Sequence, residues 1–297
     1  MSEEKINLVE KRATGLLIIE VRSSNPNGDP DRESDPRQRN DGRGEISPVS
    51  FKRKIRDLID DKKGLAWKEI SNLVKITDKE RFYILEHRGR DRKVIESELA
   101  DGGEKFINKY WDGRIFGNTF LEEGKSSSIK TGVVQFGLGV SISPVVISRK
   151  TFTNKSGVEE GKDRGMAPLA YRIVEHGVYC IPFFVNAAVS NKTKCTKEDI
   201  ELLLKTIPSA YSGTPSLSRN MVEIRHAWYM EHKSALGSCS DFALIDALTP
   251  KRKGSTDNER KENTEKPSTS WNDYDVPKEL PDELRKKIDS CKDLMNE

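Results

Sequence analysis

Residues 14–21 read TGLLIIEV, and residues 47–61 read SPVSFKRKIRDLIDD. The first is an unbroken apolar run of strand length, the mark of a buried strand. The second places Phe51, Ile55, Leu58 and Ile59 at i, i+4, i+7 and i+8, which is one face of a helix. Ser47 can cap that helix, and Pro48 suits its first turn. A strand followed by an amphipathic helix opens a βα unit, and the remaining strands decide what it becomes.

Residues 129–147, IKTGVVQFGLGVSISPVVI, are rich in β-branched residues and predict one long or bent strand. Gly137 and Gly139 allow a bulge or a close approach within it. GVYCIPFFVNAAV, 177–189, predicts a third strand. Thr196 can cap the helix KEDIELLLKTI, with Asp199 at the capping-box position. VEIRHAWYMEHK, 222–233, alternates as a strand. The order βαββαβ predicts an α+β fold, a modified RRM/ferredoxin-like core. Its long insertions fall after strand 1, after helix 1 and between strands 2 and 3. The core is expected within residues 1–249, interrupted by a mostly helical insertion over 60–128 and a polar excursion over 148–176. Residues 250–297 read as a hydrophilic linker and tail, in which PDELRKKIDSCKDLM can form a last helix.

The chain has 297 residues, 34% hydrophobic and 33% charged, so a modest core carries a large solvated surface. Lys and Arg number 51 against 48 Asp and Glu, a net +3 that neither demands nor excludes a nucleic-acid partner. The four cysteines form no C-x-x-C pair, so reduced thiols in a cytoplasmic protein are expected. MSEEKINLVEKR has no apolar run, and no stretch approaches the ~18 apolar residues of a membrane span, so neither a signal peptide nor a membrane partner is expected.

Between the first strand and helix lies SSNPNGDPDRESDPRQRNDGRGEISP, 23–48. Asp29, Asp31, Glu33 and Asp35 alternate there, but the glycine and closing glutamate of a calcium loop are missing. Asn25-Pro26-Asn27-Gly28-Asp29-Pro30 is a shaped turn, either structural or presenting amides to a ligand. Lys52, Arg53, Lys54 and Arg56 crowd helix 1, with Lys52 and Arg56 beside the apolar stripe. From charge alone a solvated face is the commoner reading, and phosphate contact is the other. Met166, in a polar excursion, packs into a local cluster or serves as a wedge between bases. His226 and His232 share a strand face without a third ligand. No nucleophile–base or phosphate-loop motif occurs, so no catalytic residue, metal or cofactor is expected.

Several segments in order resemble one family. IIEVRSSNPNGDPD, VSFKRKIRDLI, DGRIFGN, TGVVQFGLGVSISPVV, KDRGM and EHGVY resemble the RAMP-type backbone subunit of the type I CRISPR Cascade complex, of the subtype I-B and I-C kind. The resemblance implies an RRM-like palm with large finger and thumb insertions. It implies copies that polymerise along crRNA, flip out a nucleotide at intervals and present the rest for pairing with target DNA. It implies other Cascade subunits as partners, and a separate helicase-nuclease that degrades DNA. Lys52, Arg53 and Arg56 match the basic helix and become crRNA contacts, and Asn25 and Asn27 match the turn beside the RNA. Arg114, Phe116, Thr131 and Gln135 match later motifs. Residues 148–176 would be the thumb, with Lys162, Arg164 and Met166 at its RNA end. The other reading is a type III-like backbone RNase that cuts target RNA with an Asp of the 29–41 loop.

Overall fold

A computed structural model describes residues 7–87, 93, 104–117, 131–155, 166–214, 216 and 218–296. The first strand, β1 (Ala13–Ser24), lies between two antiparallel partners, β6 (Met166–Val185) and β7 (Val222–Glu231). β4 (Gly139–Pro144) pairs with β6, and β2 (Arg43–Ile46) pairs with β4. β3 (Val134–Phe136) and β5 (Ile147–Lys155) add to β6, and β10 (Ser290–Asp293) adds to β7. Among the described residues these strands form one eight-stranded antiparallel sheet. Stripped to β1, β4, β6 and β7, its order is β7-β1-β6-β4. Counted as four core strands this is 4-1-3-2, the order that a βαββαβ chain gives when both helices cross on one face.

The helices α1 (Pro48–Asp60), α2 (Leu65–Val74), α3 (Glu104–Lys109), α4 (Trp111–Phe116), α5 (Ser190–Thr193) and α6 (Lys197–Thr206) follow in chain order. α1 and α6 are the two crossover helices. Ser47 caps α1 by accepting from Ser50 N at 3.2 Å. Thr196 and Asp199 complete the capping box of α6. Leu17, Ile19 and Val21 of β1 meet Phe51, Ile55 and Ile59 of α1, and Ile200 and Leu203 of α6, in one core. Leu16 and Ile18 point the other way, into a second core with Val178, Trp228 and Met230. Leu244 and Leu248 of α7 (Asp241–Leu248) close that core, with Tyr274, Leu280 and Ile288. Both faces of the sheet are therefore covered, which is why TGLLIIEV runs apolar without alternation.

Four segments differ from the sequence reading. The single strand expected over 129–147 is divided into β3, β4 and the start of β5. Gly139 is required within it, because a Cβ there would stand 2.6 Å from Ile181 Cγ1. The third strand starts well before residue 177. β6 spans 20 residues, and with β5 it forms a hairpin from Ile147↔Val174 to Lys155↔Met166. Alternation was hidden there by the hairpin's polar side chains. Within the predicted 60–128 insertion, Trp67, Ile70 and Val74 of α2 are buried in the main core, so this part belongs to the palm. Residues 250–296 are not a separate tail. β8 (Lys251–Arg252) pairs with β9 (Tyr274–Asp275), α8 (Asp257–Thr264) lies between them, and α9 (Asp282–Arg285) is one turn followed by β10. Of their apolar residues, Tyr274, Leu280, Ile288 and Leu294 are buried and Trp271, Val276, Leu284 and Met295 are half-buried, and this sparse pattern escaped a reading by composition. Among the described residues no helix is long and apolar enough to cross a membrane.

Candidate nucleic-acid interface

The loop after β1 is ordered by its own hydrogen bonds. Asn25 is buried; its Nδ2 donates to Ser34 O at 2.8 Å, while its Oδ1 has no hydrogen-bond partner among the described residues. Asn27 is buried too, and its Oδ1 accepts from Ser47 N at 2.8 Å. That bond ties the Asn-Gly turn to the residue that caps α1. Short bridges Gly28↔Pro36 and Gln38↔Gly44 close the rest of the loop. The loop's carboxylates have separate tasks. Asp29 caps the turn at Pro30–Arg32, Asp41 pairs with Arg43 at 3.1 Å, and Glu33 and Asp35 reach the β5–β6 hairpin. Among the described residues no group of three or more His, Cys, Asp or Glu could hold a metal ion.

The basic flank of α1 meets Phe116. Lys52 Nζ lies 5.1 Å and Arg56 Cζ 5.2 Å from the Phe116 ring centroid. Desolvation there pulls the Lys52 ammonium below its ordinary pKa. Arg56 is buried, with Nε 2.9 Å from Asp112 Oδ2 and Nη1 3.0 Å from Glu86 Oε2. This corrects the expectation that Arg56 projects to solvent: the 82–86 segment and α4 lie over that side of the helix. Arg53 is half-buried and donates to Glu86 O at 2.5 Å.

Arg114 is fully buried. It grips Asp199 through two bonds, of 3.0 Å from Nε and 2.7 Å from Nη2, and donates to Ile107 O and Arg81 O. Its fork welds α4 to the N-terminus of α6, so it acts within the fold. Thr131 is exposed at the entry to β3. Gln135 lies on the side of β3 opposite Phe136 and donates back to Gly132 O at 2.5 Å. Met166 begins β6 opposite Lys155. Lys162 and Arg164 lie outside the described residues.

The sequence reading missed the segment between α6 and β7. Ser218 O accepts from Asn25 N at 2.7 Å, Arg219 Nε donates to Asn25 O at 3.1 Å, and Thr214 O accepts from Lys54 Nζ at 3.0 Å. The SGTPSLSR run at 212–219, dense in glycine, proline and hydroxyls, was the available signal. It braces the Asn25 turn from behind and borders a mixed-charge cleft with Lys62, Lys63, Asp60 and Asp61. The Asn25–Asn27 turn continues β1, Lys52 reaches Phe116 from α1, and the hairpin base extends β6 beside β1.

A family model described as "CRISPR-associated protein Cas7" matches residues 11–279. No curated protein matches the chain. A chain solved in a "CRISPR RNA-guided surveillance complex, pre-nicking" is 15% identical, with TM-score 0.46 over 73% of this chain and 77% of that one. A chain of a "CRISPR RNA-guided surveillance complex" is 16% identical, with TM-score 0.44 over 73% and 68%. A chain of the "Type III-B Cmr-beta bound to cognate target RNA" is 11% identical, with TM-score 0.40 over 73% and 60%.

Proposed function

The chain belongs to the Cas7 family of CRISPR-associated proteins, and from that premise we propose that it is a non-catalytic backbone subunit that binds crRNA. Copies assemble side by side on the guide within a type I Cascade complex of the I-B or I-C kind. The guide is presented for pairing with target DNA, and other subunits and a helicase-nuclease complete the system. The observation that carries this reading is the family match over 11–279, which takes in seven of the eight sheet strands, α1, the loop and the hairpin. The basic flank of α1 and the ordered Asn25–Asn27 turn support it as positions for RNA phosphates. Binding of this kind rests on counterion release, so affinity falls as salt rises and base sequence matters little.

Titration of the full chain with single-stranded crRNA at several salt concentrations tests it. Binding with a negative salt slope and little sequence preference is the expected result. Sequence-selective binding without a salt slope contradicts it.

The RNase reading has one observation of its own: Asp31, on the Pro30–Arg32 turn, is exposed, whereas Asp29, Asp35 and Asp41 are engaged. The backbone reading predicts that complementary RNA stays intact with Mg²⁺. Periodic cuts that vanish in Asp31→Asn would replace it with the nuclease.

A further inference from the structure

On the β5–β6 ladder Arg149 stands directly across from Arg172. Cross-strand partners project from the same face with Cβ atoms about 5 Å apart, and like charges there repel. Such a pair calls for an anion between its guanidinium groups. The chain supplies carboxylates from the loop after β1. Asp35 Oδ2 lies 2.5 Å from Arg149 Nη2, and its Oδ1 lies 3.4 Å from Arg172 Nε. The second contact is an ion pair by distance but too misaligned for a hydrogen bond, so Oδ1 is left under-satisfied. The Glu33 carboxylate also pairs with Arg172, whose Nη1 donates to Glu33 O at 2.5 Å. Glu33 and Ser34 both hold positive φ, 49° and 67°, a backbone that side-chain-bearing residues seldom adopt.

Exposure divides the four groups. The side chains of Asp35 and Arg172 are 11% and 21% exposed, whereas those of Arg149 and Glu33 are 71% and 82% exposed. Asp35 and Arg172 are set in, and solvent reaches their exposed partners, Arg149 on Asp35 and Glu33 on Arg172.

We propose that Arg149 and Arg172 form a binding site for one phosphate of a single-stranded nucleic acid, and that the Glu33 carboxylate occupies its Arg172 side when none is bound. A phosphate offers paired guanidinium groups the same two-oxygen edge as a carboxylate. It displaces the Glu33 carboxylate from Arg172, while Asp35 stays hydrogen-bonded to Arg149 and beside Arg172. This inference rests on the RNA-binding reading above, and names a site at the hairpin base that the sequence motifs did not include.

Fluorescence anisotropy with a labelled single-stranded RNA tests it, using the full chain from about 50 to 200 mM salt. The Glu33→Gln variant removes the competing charge and is expected to bind about threefold tighter. Arg149→Gln is expected to bind more weakly, with a salt slope shallower by about one. Glu33→Gln added to Arg149→Gln is expected to gain much less. Glu33 is exposed, and Arg172 remains 3.4 Å from Asp35 once Arg149 is replaced, so neither variant should unfold, which thermal melting checks. If Glu33→Gln binds no tighter while wild-type binding and its salt slope persist, the inference fails and the RNA-binding reading stands. If the wild-type chain binds no RNA at any salt, both fail.

Discussion

Arg56 and Lys52 are four residues apart on α1, yet they serve different ends. Arg56 sits between Asp112 and Glu86 with a side-chain exposure of 4%. Replacing it by Ala leaves the buried Asp112 charge without its partner, and such losses run to about 3–5 kcal/mol. The same range applies to Arg114→Ala, which strands Asp199 inside the capping box of α6. Arg114→Lys is expected to recover only part of it, because an ammonium cannot reproduce the fork. Chemical denaturation measures all three. Lys52→Ala should leave the denaturation midpoint nearly unchanged and weaken RNA binding. An Arg56→Ala protein as stable as wild type would show that the 82–86 segment does not cover α1 in solution. His176 and His232 are buried, and desolvation holds both below their ordinary pKa. Below about pH 6.5 the unfolded chain takes up protons that these folded imidazoles resist, so stability falls with acidification. A doubly substituted His176→Gln, His232→Gln protein should show a shallower loss between about pH 6.5 and 5 by thermal melting.

Among the elements, the helix caps were legible because their signals are local. Ser47 and Ser50, or Thr196 and Asp199, lie three residues apart, and spacing alone finds them. The ion pairs that decide which basic residues face solvent are not local. Arg56 meets Asp112 across 56 residues and Arg114 meets Asp199 across 85, distances at which one sequence holds no pairing signal. The shared motif marked Arg114 for RNA, whereas its burial makes it a brace. The C-terminal segment was illegible for a different reason. Its residues are mostly polar, but β10 completes the sheet edge at β7 and Leu280 and Ile288 seal the second core. Removing residues 280–297 should therefore uncover Trp228 and Met230, lower the melting temperature and increase binding of a hydrophobic dye. A truncated protein that melts like the full chain would contradict this role.

At the scale of the whole molecule, closure of both sheet faces limits where RNA can lie. An open RRM sheet stacks bases on its strands, but here Leu16, Ile18 and Trp228 are covered by α7 and the C-terminal segment. On the proposed function, what is left for a guide is the rim: the Asn25 turn, the Lys52 flank and the hairpin. The near-neutral net charge of +3 fits this arrangement, since much of the loop's acid is paired with the chain's own arginines. A subunit that grips a strand along its rim covers only a short length of it, so a longer guide takes more copies. The most direct test is native mass spectrometry of the full chain with crRNAs of increasing length. Complexes whose copy number rises in steps with RNA length are the expected result. A single copy per RNA at every length, or no complex at all, would contradict it.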